Sequence, residues 1–277
     1  MDDGLDDATT VGGTPAERRE RGARIYQEVM GVPFEGLPTA YGSTGVLEFV
    51  FGDIWARPGL DRRNRRWIAL ACAAEAGIPE PIESHVFGAL QSGDIAYEEL
   101  LEFVLHFAVY CGWPRASQAE RIVHEQFELV RRAQRTDGAA SLPSPTWGED
   151  LSPEQRILDG EASFIGINHV PGAPQHTAYS RAGIVHFVFG EVWQRPGLSI
   201  RDRRFITLAC VGCDDSQIPI RSHVYSALKS GDVSLEEMRE VVLQFATVAG
   251  WPKASFLDQV VGESFERIRE EETSAPG

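Results

Sequence analysis

The chain has 277 residues, 43% of them hydrophobic and 24% charged, a globular composition with room for two ordinary compact domains. Its 26 basic and 41 acidic side chains leave a formal net charge of −15, which repels phosphate backbones and sets nucleic-acid binding aside. No apolar run approaches the ~20 residues that a membrane span needs, no basic and apolar leader opens the chain, and four cysteines do not make a disulfide framework in a chain this long. The expectation is a cytoplasmic protein with reduced thiols and no membrane partner.

Residues 1–14 are acidic and glycine-rich and read as a tail. From Pro15 a surface helix runs to Gly31, a C-cap glycine. Tyr41 to Trp55 is apolar at helical spacing until Pro58-Gly59 stops it. Asp61 then caps a helix over Arg62 to Ala76, ended by Gly77. A short helix from about Glu80 to Leu90 carries His85 and closes at Ser92-Gly93. An amphipathic helix covers Tyr97 to Cys111, Trp113-Pro114 breaks it, and Ala116 to Ala133 forms one more. Residues 136–151, rich in Ser, Pro and Gly, read as a linker.

Ser152-Pro153 then starts the same succession again. FVFGDIWARPGL at Phe49 returns as FVFGEVWQRPGL at Phe187, 138 residues later, and the register holds without a gap to His85 and His223. Ser234 opens a capping box at the place of Ala96. No segment alternates with period two, so the fold class is all-α. It is divided into two similar helical domains, 15–135 and 152–271, with 272–277 as a C-terminal tail. A small helical unit with a wide apolar face often cannot cover that face alone, so the copies are expected to pack together as a pseudo-twofold pair.

Three motifs recur in order in both copies: GDIWARPGL and GEVWQRPGL, HVFGALQSGD and HVYSALKSGD, FAVYCGWPRAS and FATVAGWPKAS. They resemble the carboxymuconolactone decarboxylase family, which shares its fold with the AhpD-type alkylhydroperoxidases. The resemblance implies decarboxylation of a small cyclic carboxylated or carbonyl compound in aromatic-acid breakdown, without metal or organic cofactor. The proton-transfer histidine aligns with His85 and His223. It also implies a ring-forming homo-oligomer, here a trimer of pseudo-dimers. The family's glutamate four residues before that histidine is replaced by Pro81 and Pro219. The peroxidase branch needs Cys-x-x-Cys four residues ahead of its histidine. Here Cys210 and Cys213 stand one helix too early, and Arg66 and Arg204 occupy the place of the relay carboxylate.

Decarboxylation leaves electron density on carbon, and imidazole titrates in the range suited to protonating it. His85 and His223 are therefore the first catalytic candidates, against the alternative of histidines that bond a helix end. His106 and Tyr110 complete a family-like H-x-x-x-Y-C-G pattern in the first copy, where the second has Gln244 and Val248. The working pocket is accordingly expected around His85 and His106. Glu48 and His186 share one equivalent position and either line a pocket or face solvent. Arg57 and Arg195, each before a proline, either hold a substrate carboxylate or fix the turn. Arg66 and Arg204 point inward beside Trp67 and Phe205. Trp55, Trp113, Trp193 and Trp251 read as core or interface anchors, and Cys72 and Cys210 as buried small hydrophobes. Two other readings remain: a thiol peroxidase using Cys210 and Cys213, and a non-catalytic small-molecule binding or scaffold protein.

Overall fold

The computed structural model describes residues 12–134, 146–214 and 216–274, and these are helices and their connections, with no strand among them. Repeat one comprises α1 (Pro15–Met30), α2 (Ala40–Ile54), α3 (Arg62–Ala76), α4 (Pro79–Ser92), α5 (Tyr97–Cys111) and α6 (Trp113–Gln134). Repeat two follows with α7 (Pro153–Asn168), α8 (Tyr179–Phe189), a 3-10 turn over Val192–Gln194, α9 (Ile200–Cys213), α10 (Gln217–Lys229), α11 (Leu235–Ala249) and α12 (Trp251–Ser274). Nearly all of the expected tail 1–14 and most of the linker 136–151 lie outside the described residues. The helix over Tyr97–Cys111 ends ahead of Trp113-Pro114 as expected, but the next helix begins at Trp113 and not at Ala116. Only Gly112, at φ 89°, separates α5 from α6, and Pro114 sits in the first turn, where its missing N–H costs nothing. At the other end α12 runs to Ser274, past the expected boundary at 271.

The ends of the helices follow local chemistry. Asp61 accepts from the Asn64 backbone N–H at 2.7 Å, and Ser199 and Ser234 form capping boxes with Asp202 and Glu237. Gly31 closes α1 in the left-handed region. The apolar stretch after Tyr41 is wound as a π-helix, as is α8, with Trp55 N–H reaching back five residues to the Val50 carbonyl at 3.0 Å. Here α1 crosses α2 backbone against backbone. A Cβ on Gly22 would fall 1.8 Å from the Leu47 carbonyl oxygen, and one on Gly160 of α7 would fall 2.0 Å from that of Val185. Glycine is required at both crossings for space.

One hydrophobic core runs through both repeats. The equivalent helices α3 and α9 lie against each other, α3 also meets α11, and α5 meets α9. Side-chain contacts between the repeats are reciprocal. Arg57 of repeat one pairs with Glu240 at 2.6 Å, and Arg195 of repeat two pairs with Glu102 at 2.6 Å. Phe49 meets Trp251, and Phe187 meets Trp113, at centroid distances of 6.0 and 6.1 Å. Such i-to-j and j-to-i exchange is the mark of an isologous interface. Trp113 and Trp251 remain more than half exposed, so they flank the interface instead of filling it. Trp55 and Trp193 are buried.

Candidate functional site

The helix pairing fixes which polar side chains meet. His223, on α10 of repeat two, faces Tyr110 of α5 in repeat one, with ring centroids 5.4 Å apart and edge to face. It also stacks on Trp193 at 6.4 Å, with the rings 3° from parallel. His106, one helical turn before Tyr110, lies 5.3 Å from that ring and 5.0 Å from Trp193. The pocket expected around His85 and His106 is therefore not formed. His106 belongs with His223, because α5 turns its polar positions across the interface toward α9 and not back toward its own α4.

Around His85 the corresponding group is stripped down. Trp55 stacks on His85 at 6.3 Å, as Trp193 does on His223. The positions equivalent to Tyr110, His106 and Thr207 hold Val248, Gln244 and Ala69. Gln244 accepts from Arg65 at 3.3 Å, and Arg65 also pairs with Glu240 at 2.8 Å. At the His223 cluster repeat two thus supplies His223 and Trp193, and repeat one supplies Tyr110 and His106.

Donor rules orient that cluster. Arginine only donates, so the contact of Arg203 Nη1 with His106 Nδ1 at 3.3 Å makes Nδ1 the acceptor. The ring proton then sits on Nε2 and is donated to Thr207 Oγ1 at 2.8 Å. The Tyr110 oxygen accepts from Trp193 Nε1 at 3.1 Å. The phenol is neutral and keeps its own O–H as a donor. This donor stands beside the His223 imidazole, whose buried Nδ1 has no hydrogen-bond partner among the described residues.

Burial and neighbouring guanidinium charge set the protonation states. Desolvation, aided by Arg204, pushes His223 down to about 3, and desolvation with Arg66 pushes His85 down to about 4. His106 is held well below the ordinary imidazole value by burial and then by Arg203. All three are neutral at pH 7. Burial lifts Tyr110 to about 12, so it acts as a hydrogen-bond donor and not as a phenolate. Arg203 is lowered to about 10 by desolvation and stays charged.

Several candidate residues are held in other contacts or lie away from the cluster. Arg57 and Arg195 are both in ion pairs. Each is committed to a carboxylate of the other repeat, and Arg195 bonds Glu102 through both Nε and Nη2. Glu48 is buried under Arg19, at 2.5 Å, and Arg18. Arg66 and Arg204 point inward as expected but are tied to Asp94 and Asp232 at 2.6 and 3.0 Å, and Arg204 covers Trp193 at 5.8 Å. His186 lies away from the cluster, on α8. Cys210 and Cys213 are buried. Burial, followed by the adjacent Cys111 thiol, raises Cys210, the reverse of what a reactive thiolate needs. Thr207 and Arg203 were not among the candidates. The signal for Thr207 was a polar residue facing Ala69 in the aligned repeats. Among the described residues no group of three or more His, Cys, Asp or Glu is placed to hold a metal ion.

The profile of the carboxymuconolactone decarboxylase family matches residues 43–125 and again 180–262, more than half of the chain. The chain belongs to the carboxymuconolactone decarboxylase family. Both matches contain the helix that bears the stacked histidine, so the chain carries two copies of the family unit in tandem. Among curated members it is similar to 4-carboxymuconolactone decarboxylase of Acinetobacter baylyi, 29% identical over 83 residues that make up 30% of this chain and 61% of the relative. It is also similar to a nitrosuccinic acid decarboxylase of Metarhizium robertsii, 31% identical over 107 residues, 36% of this chain and 74% of the relative. The chain thus spans under two thirds of the first relative's length.

Proposed function

We propose that the chain is a cofactor-independent decarboxylase of a small, cyclic or carbonyl-bearing carboxylate, working at one site built around His223, Tyr110 and His106. The observation that carries this reading is the convergence of Tyr110 and His106 from repeat one on His223 from repeat two, in only one of two equivalent places. Two relatives named as decarboxylases, of a lactone acid and of a nitro acid, support the reaction class. Both names describe acids with a group able to take up the electron pair left by departing CO2.

The proposed step conserves atoms and electrons. The bond from carbon to the carboxylate breaks heterolytically, CO2 leaves, and the electron pair moves into the acceptor group as an enolate-like anion. The Tyr110 hydroxyl donates to the developing oxyanion, a role that a donor with a fixed direction performs without reorganising. A bound carboxylate raises the affinity of His223 for a proton by simple attraction. The imidazole takes up a proton from solvent while the carboxylate is bound and delivers it to carbon after CO2 leaves. His106, itself held by Arg203 and Thr207, packs against the tyrosine and does not react.

The test is CO2 release from 4-carboxymuconolactone and from nitrosuccinic acid by the purified chain, with and without Tyr110→Phe. Release matched by substrate loss, reduced by about 10² in the variant, is expected. No release from either acid, or full activity in Tyr110→Phe, would remove the reading.

A further inference from the structure

A cavity of about 460 Å³ opens in repeat two, apart from the His223 cluster, between α7, the loop before α8 and the first turns of α8. Its lining includes Arg181, His176 and His186 on one side and Ile157, Ala178 and Ala182 on the other. No lining residue is acidic. The nearby carboxylate of Glu161 is engaged by Gln175. Arg181 is exposed, and its guanidinium has no ion pair or hydrogen bond among the described residues.

Two comparisons within the molecule make this arrangement informative. At the equivalent place in repeat one, Arg19 and Glu48 form an ion pair, whereas repeat two has Ile157 and His186. Repeat one also holds Pro38 and Ser43 where repeat two holds His176 and Arg181. The second copy has therefore lost the carboxylate and gained three nitrogen donors around an apolar floor. A second cavity, about 490 Å³ beside Trp55, also contains arginines, but each is neutralised: Arg21 by Asp53, Arg24 by Glu28 and Arg62 by Asp94.

We propose that the α7–α8 cavity binds a small organic carboxylate. Arg181 takes the carboxylate, for which its planar fork is suited, and His176 and His186 donate around it. Ile157, Ala178 and Ala182 cover the hydrocarbon body, a wall that a bare inorganic anion would leave unused. The inference does not depend on the decarboxylase reading, because it shares no residue with the His223 cluster.

Benzoate is a suitable probe, with its neutral analogue benzamide and inorganic phosphate as comparisons, measured by titration calorimetry on the full chain at low salt. Saturable benzoate binding is expected, weakened at least about tenfold by Arg181→Gln and by His186→Glu, which restores the carboxylate of repeat one. Benzamide and phosphate should bind at least about tenfold more weakly. His223→Ala should leave the benzoate affinity unchanged, which separates this cavity from the catalytic cluster. Thermal melts confirm that the variants fold. No saturable binding, equal affinity for benzamide or phosphate, binding that survives both Arg181→Gln and His186→Glu, or binding lost in His223→Ala would each overturn the proposal.

Discussion

Thr207 and Tyr110 show how the chemistry of a residue depends on what its neighbours donate. The direction of the chain from Arg203 through His106 to Thr207 follows from Arg203, which cannot accept, while Tyr110 accepts from Trp193 and keeps its own O–H. Replacing Thr207 with Val keeps the shape and removes the link. A loss of about tenfold in kcat is expected, with Thr207→Ser near wild type. Equal loss in the Ser and Val variants would mean that Thr207 matters only for packing. The buried histidines carry a second prediction. Their folded values lie below the ordinary imidazole value near 6.5, so the unfolded chain binds protons that the folded chain refuses. Stability is full above about pH 6.5 and falls as pH drops toward 4, by about 1.4 kcal/mol per pH unit for each such histidine. The paired carboxylates, whose values are lowered, are lost only at still lower pH. Urea unfolding at pH 7 and pH 5 measures this, and stability that is flat or rising toward pH 5 would contradict it.

At the scale of elements, most of the fold was legible in the sequence. Asp61, Gly77, Ser152-Pro153 and the Ser234 box mark helix ends by chemistry that acts within a few residues, and α3 and α5 begin and end where the periodicity places them. The π winding of α2 and α8 was not legible, because apolar spacing over one stretch does not separate it from an α-helix. Nor were the roles of Arg57 and Arg195. An arginine before a proline looks the same whether its partner is a ligand or a glutamate 183 residues away. The Arg195–Glu102 pair is buried on both sides, so Arg195→Met strands a carboxylate and should cost about 3–5 kcal/mol. Arg195→Met combined with Glu102→Leu should recover much of that loss, as read by denaturant midpoints. A double variant as unstable as the single one would contradict this account of the pair.

For the whole molecule, the decisive unknown in the sequence was which repeat each helix face meets. His106 and Tyr110 lie in repeat one beside His85 in the chain, yet the pairing of α5 with α9 delivers them to His223. Sequence proximity paired His106 with His85, whereas the interface between the repeats brings it to His223. Duplication explains how this became possible. Two equal copies can differ on both sides of an interface, concentrating Tyr110, His106 and Thr207 at one place while Val248, Gln244 and Ala69 occupy the other. Since one core spans both repeats, residues 12–134 expressed alone should not persist as a folded monomer. They should self-pair or unfold, as measured by light scattering and circular dichroism, and a stable folded monomer would contradict the shared core.

The claim that one site works and that it is centred on the second histidine is tested most directly by kcat/KM for His223→Ala and His85→Ala on 4-carboxymuconolactone. Folding of each variant is checked by circular dichroism. The account predicts a loss of about 10²–10⁴ for His223→Ala and activity near wild type for His85→Ala. Equal losses in the two variants, or a loss confined to His85→Ala, would contradict it.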